Sequence, residues 1–161
     1  ALETIVEFAH TQGTKLGVQI AHAGRKASTY APGKGEGTLP LTDGGWQTVA
    51  PVATHYGAER PPNALDEKGI RMVVQATAAA AGRAADLGFD VLEIQAAHGY
   101  LLHEFCSPLT NIRDDDYGGS FANRTRIVRE TVDAVLDLGG RGRAPAGAAP
   151  AMSSPRNFTG A

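Results

Sequence analysis

The chain has 161 residues, one domain or part of one by length, and its 42% apolar side chains are too many for a disordered chain. A net charge of −2 supplies no basic footprint for nucleic acid or an anionic membrane surface. A single cysteine, Cys106, excludes an intrachain disulfide framework and a thiolate zinc cluster.

No run approaches the roughly 18 apolar residues of a membrane span, and the N-terminus lacks the pattern of a signal peptide. A soluble cytoplasmic protein without nucleic-acid or membrane partners is expected. Leu2, Ile5, Val6 and Ala9 recur at helical spacing, with Glu3 and Glu7 opposite. They predict a helix over 1–11 that stops before Gly13. The chain opens directly in this helix without a start signal, as expected of one that begins inside a domain. Residues 15–21 alternate as a strand, with Leu16, Val18 and Ile20 facing one way and Gly17, Gln19 and Ala21 the other. Residues 22–63 are rich in glycine and proline and lack periodicity. They predict one long loop, past the usual connection length and therefore functional or disordered. Trp46 and Val49 are expected to pack part of it down.

A helix over 65–87 follows, with Asp66 as its N-cap. Its apolar stripe is Ile70, Val73, Val74, Thr77, Ala81, Ala84 and Leu87, and Gly88 is its stop. Residues 89–95 read as a second strand, with Leu92 and Ile94 on one face and Val91, Glu93 and Gln95 on the other. Helix resumes over 98–105, and 111–119 form a charged loop. Ser120 caps a last helix carrying Ile127, Val128, Val132, Val135 and Leu138 at helical spacing.

Strands alternating with helices predict α/β architecture built from parallel βα units. Gln19 and Gln95 both lie at the C-terminal end of their strand, on the face opposite the aliphatic row. In a (β/α)8 barrel that face is the interior and that end holds the active site; an open parallel sheet also places ligands at strand C-termini. After Leu138 the pattern stops. Of the 23 residues in 139–161, 17 are Gly, Ala, Pro or Arg, where a βα array should continue with a strand. Either a disordered tail or a lost reading frame in GC-rich DNA explains that composition.

The chain has no dinucleotide or phosphate glycine loop, no H-E-x-x-H and no G-x-S-x-G. Its densest polar cluster is Gln95-Ala-Ala-His98-Gly-Tyr100, at the end of the second strand. Gln95 and His98 can both donate to one carbonyl, and Tyr100 can supply a proton. The alternative is a strand-end cap with His98 satisfied by backbone. Gln19, His22 and Arg25 end the first strand as donors for an anionic or heteroaromatic ligand, or as a solvated loop start. His98, His103 and Glu104 do not share one helix face, so a capping or surface role is favoured over a metal site. Cys106 is expected to be a small buried residue, and Asp114, Asp115 and Asp116 a solvated loop.

Gln19-Ile-Ala-His-Ala-Gly-Arg-Lys26 resembles a signature of the old yellow enzyme family of flavin reductases. So do Ala97-His-Gly-Tyr-Leu-Leu-His-Glu-Phe105, Ser107-Pro-Leu-Thr-Asn-Ile-Arg113, Asp116-Tyr-Gly-Gly-Ser120 and Asn123-Arg124, in the family's order. The resemblance covers about 1–138 and is strongest to the NADPH dehydrogenase, or thermophilic-like ene-reductase, branch. It implies part of a (β/α)8 TIM barrel, its third and fourth strands with their helices, with FMN at the strand C-termini. NADPH or NADH reduces the flavin, which passes hydride to an activated alkene such as an enone. By this resemblance Gln19 binds the flavin ring, Gln95 and His98 bind the substrate carbonyl, and Tyr100 donates the proton. Donors on the carbonyl stabilise the negative charge that develops as hydride arrives. The family usually has histidine at the Gln95 position; an amide cannot become cationic, so weaker binding of phenolate-type ligands is expected. No metal is implied, and the family's full-length members can form homo-oligomers. Two other readings are a non-catalytic remnant or interaction fragment of such an enzyme, and a dienoyl-CoA reductase-like flavin barrel.

Overall fold

The computed structural model describes residues 1–56 and 60–138. The tail at 139–161 lies outside them. Helix α1 spans Leu2–Thr11 and strand β1 Gly17–Ile20. Two two-residue strands follow, β2 at Val49–Ala50 and β3 at Asn63–Ala64. Helix α2 runs over Glu67–Asp86, strand β4 over Val91–Ile94 and helix α3 over Leu101–Cys106. Helices α4 (Phe121–Arg124) and α5 (Arg126–Leu138) close the described chain. Among the described residues, no helix is long and apolar enough to cross a membrane.

β1 and β4 pair in parallel, Gln19 opposite Glu93 and Ile20 opposite Ile94. This is the expected βα arrangement, with α2 as the crossover. Asp90 knots the entry to both strands. Its carboxylate accepts from Lys15 Nζ at 2.7 Å and from the Leu16 N–H at 3.0 Å, and lies 2.8 Å from His10 Nε2 at the end of α1. Those three bonds, Lys15's first, hold the carboxyl well below the usual range.

α2 starts where the sequence places it, because Asp66 Oδ1 accepts from the Gly69 N–H at 2.7 Å. It ends at Asp86, and Gly88 just beyond has a φ of +85°, the left-handed region that favours glycine. The core lies between α2, α3 and α5. Ile70 and Val74 meet Leu101, Leu102 and Phe105, closed by Tyr117 and Ile127. Phe105 and Tyr117 pack edge to face with centroids 6.4 Å apart.

Three expectations change. The glycine-rich stretch is not one loop: it holds 3-10 turns at Gly24–Lys26 and Leu41–Asp43, a Thr29–Thr38 bridge and the parallel β2–β3 pair. Two-residue strands are too short to show a period. Val49 does pack against the core, but Trp46 is 56% exposed and is anchored by its backbone N–H to Ser28 Oγ. The last helix breaks at Thr125, whose hydroxyl bonds back to the Phe121 carbonyl at 2.9 Å. In α1 only Val6 is buried, and Leu2, Ile5 and Phe8 face outward.

Candidate functional site

The ends of β1 and β4 converge, and their polar side chains meet. Gln19 Nε2 donates to Glu93 Oε1 at 2.9 Å, while Gln19 Oε1 lies 3.4 Å from Gln95 Nε2. Gln95 Nε2 also lies 3.3 Å from His98 Nδ1, and Gln95 Oε1 accepts from the Ala97 N–H at 2.9 Å. Gln95 is buried; Gln19, Glu93 and His98 are exposed. The structure thus brings Gln19, Gln95 and His98 together, on the face opposite the aliphatic rows.

Among the described residues His98 is one of two non-glycine residues with positive φ, at 60°, and Gly99 follows at 68°. A histidine held there signals a conformation fixed by its surroundings. Lys26 Nζ donates to the His98 carbonyl at 2.7 Å, and the Gly99 N–H donates to His103 Nδ1 at 2.7 Å. His103 is therefore a cap for this turn, as favoured above. Tyr100 sits at the N-cap of α3, half-buried, and its backbone N–H closes the turn on the Ala97 carbonyl at 3.1 Å.

Below this turn is a buried carboxyl. Glu104 is 1% exposed. Its Oε1 accepts from the Arg25 N–H at 3.1 Å, and Arg25 Nε stands 4.0 Å away. Among the described residues neither Glu104 Oε2 nor Arg25 Nε has a hydrogen-bond partner. Burial pushes the Glu104 carboxyl up to about 7. Arg25 therefore does not join Gln19 in a ligand-facing donor set. It turns toward Glu104 and lies 5.3 Å from the Tyr56 ring centroid, with Lys26 at 4.8 Å from the same ring. His22 is exposed, and its Nδ1 accepts from the Gly24 N–H at 3.1 Å.

The 111–119 loop is a packed strut and not only a solvated run. Buried Asn111 donates to the Phe105 and Tyr117 carbonyls, both at 2.7 Å, and Arg113 donates to the Pro51 and Leu65 carbonyls, both at 2.6 Å. Asp115 is paired with Arg113. Cys106 is half-exposed, and burial still pushes its thiol up.

Reading single residues gives no role to Lys26 or Glu93 and weighs Glu104 only beside His98 and His103, not against Arg25. Lys26 lies inside a recognised motif, which is its only signal. Glu93 becomes visible only once the strand register sets it opposite Gln19.

A family model described as the NADH:flavin oxidoreductase / NADH oxidase family matches residues 1–145. An NADH:flavin oxidoreductase of Gibberella zeae is 46% identical over 139 residues, 83% of this chain and 34% of that protein. An NADPH dehydrogenase of Bacillus subtilis is 43% identical over 135 residues, 83% of this chain and 36% of that protein. The solved structure of morphinone reductase superposes with a TM-score of 0.72 at 33% identity, over 89% of this chain and 40% of that one. The chain spans about a third of the length of the curated relatives it matches.

Proposed function

The chain belongs to the NADH:flavin oxidoreductase / NADH oxidase family, the old yellow enzyme group, and from that premise we propose that it carries the ring-and-carbonyl end of an FMN-dependent ene-reductase site. β1 and β4 are then the third and fourth strands of a (β/α)8 barrel, and their open polar face is the barrel interior. The observation that carries this reading is the meeting of Gln19, Gln95 and His98 at the C-terminal ends of two parallel strands.

The donor set fits a flavin. Gln19 is exposed, and one of its two amide hydrogens is used by Glu93, which leaves the other for a carbonyl on a flat heterocycle. Bound FMN, reduced by NADPH or NADH, would supply the hydride.

The chain's own residues do the rest. Gln19 holds the ring edge. The Gln95–His98 unit receives the carbonyl oxygen of an activated alkene, where a donated hydrogen bond stabilises the charge that develops. Lys26 and His103 keep the His98–Gly99 turn in its left-handed shape, so the imidazole is aimed before substrate arrives. Tyr100, one turn position later, delivers a proton to the α-carbon.

The test is NADPH-driven reduction of 2-cyclohexenone by the FMN-loaded chain in D2O. The expected product carries solvent deuterium at the α-carbon, and Tyr100→Phe slows its formation. NADPH consumption no faster than with free FMN overturns the reading.

A further inference from the structure

The amide groups at the strand ends form a chain of hydrogen bonds whose direction is fixed at both ends. At one end, the Glu93 carboxylate can only accept when ionised, so the Gln19 amide must turn its nitrogen toward Glu93, at 2.9 Å, and its oxygen toward Gln95. At the other end, the Ala97 backbone N–H can only donate, so Gln95 must turn its oxygen toward Ala97, at 2.9 Å. The Gln95 nitrogen is left with two hydrogens and two neighbours, Gln19 Oε1 at 3.4 Å and His98 Nδ1 at 3.3 Å. Since the amide nitrogen has no lone pair to offer, His98 Nδ1 must be the acceptor. The ring proton of neutral His98 then sits on Nε2.

We infer that Glu93, Gln19 and Gln95 act as a tautomer-setting relay: they hold His98 as the Nε2–H form, so that His98 alone presents the donor to a ligand. This rests on reading the Gln95–His98 pair as the carbonyl-binding unit and divides the labour within it. Gln95 has spent both amide hydrogens and is a positioning residue, and Glu93 is the anchor two steps further back. In a neutral imidazole the hydrogen bond made by one nitrogen sets what the other can do, and a network of this kind fails when any member is turned.

Long-range proton–nitrogen NMR correlation on the histidine-labelled 161-residue chain reads this without flavin or substrate. In the wild-type chain, His98 Nδ1 is expected at the unprotonated resonance position and Nε2 at the protonated one. Gln95→Glu places an acceptor-only group against Nδ1, so its expected result is an exchange of the two positions. Glu93→Gln removes the anchor, so the Gln19 amide can turn its own nitrogen toward the Gln95 nitrogen and oppose the orientation that Ala97 holds, and both resonances are expected to move toward averaged positions. A wild-type His98 with the proton on Nδ1, or an unchanged pattern in both variants, overturns the relay. Failure of the chain to bind FMN would instead overturn the functional reading and leave the tautomer result standing.

Discussion

Replacing Glu104 with glutamine is expected to flatten the fall in stability of this chain between about pH 4.5 and pH 7. The Glu104 carboxyl is buried, one oxygen holds the Arg25 N–H and the other has no partner. Desolvation raises its titration from 4.5 to about 7, against the Arg25 hydrogen bond and the charges of Arg25 and Lys26, which pull it down. The folded chain thus binds a proton that the unfolded chain has already lost over that interval. Unfolding releases the proton, so stability is full below the unfolded value and drains away as pH rises through the folded one. Raising the titration from 4.5 to about 7 corresponds to roughly 3 kcal/mol between pH 4 and pH 8. Glu104→Gln keeps a carbonyl for the Arg25 N–H and removes the charge. Urea midpoints of the two chains should therefore agree near pH 4 and separate toward pH 8, with the variant the more stable. Profiles that run parallel across that range contradict the assignment.

Gly24→Ala is the second large effect, and it concerns the same contact from the other side. Gly24 has a φ of +61°, and a Cβ there would overlap Glu104 Oε1 and lie 2.9 Å from Oε2. The left-handed conformation costs a residue with a side chain about 1–2 kcal/mol. Forcing atoms into a filled site costs about 1–3 kcal/mol more. Glu104 cannot swing clear, since its side chain is enclosed between the Gly24–Lys26 turn and α3. The expected loss of roughly 2–5 kcal/mol is a large share of a domain's typical 5–15 kcal/mol. In a Glu104→Ala background the clash disappears and only the conformational part should remain. A double-mutant cycle in denaturant measures that coupling. Gly24→Ala within about 1 kcal/mol of the parent when Glu104 is present, or an equal loss in both backgrounds, would refute the close approach.

Much of this arrangement was legible in the residues. Asp66, Gly88 and the apolar stripe of α2 specify a helix with both ends marked, and the helix runs as they specify. Alternation around Val18 and Leu92 gave the two strands, and a shared polar face put Gln19 and Gln95 at one site, where they lie 3.4 Å apart. Local pattern does not carry long-range partners. Nothing near Arg25 in sequence says that it faces Glu104 instead of a ligand, because the contact joins positions 79 residues apart. Nor does a two-residue strand such as β2 leave a period to read; Arg113 bridges the chain just beyond both β2 and β3, donating to the Pro51 and Leu65 carbonyls. α1 shows the opposite failure: its stripe predicts a helix correctly, but periodicity alone does not say what covers Ile5 and Phe8.

The central claim is that the strand-end cluster is a flavin-facing site built around Gln19. Titrating FMN with the purified chain, and in parallel with Gln19→Leu, tests it most directly through flavin fluorescence. The account predicts saturable quenching at one flavin per chain, with clearly weaker binding when the Gln19 amide is gone. A folded chain that fails to quench saturably, or that binds equally well with leucine at position 19, would contradict it.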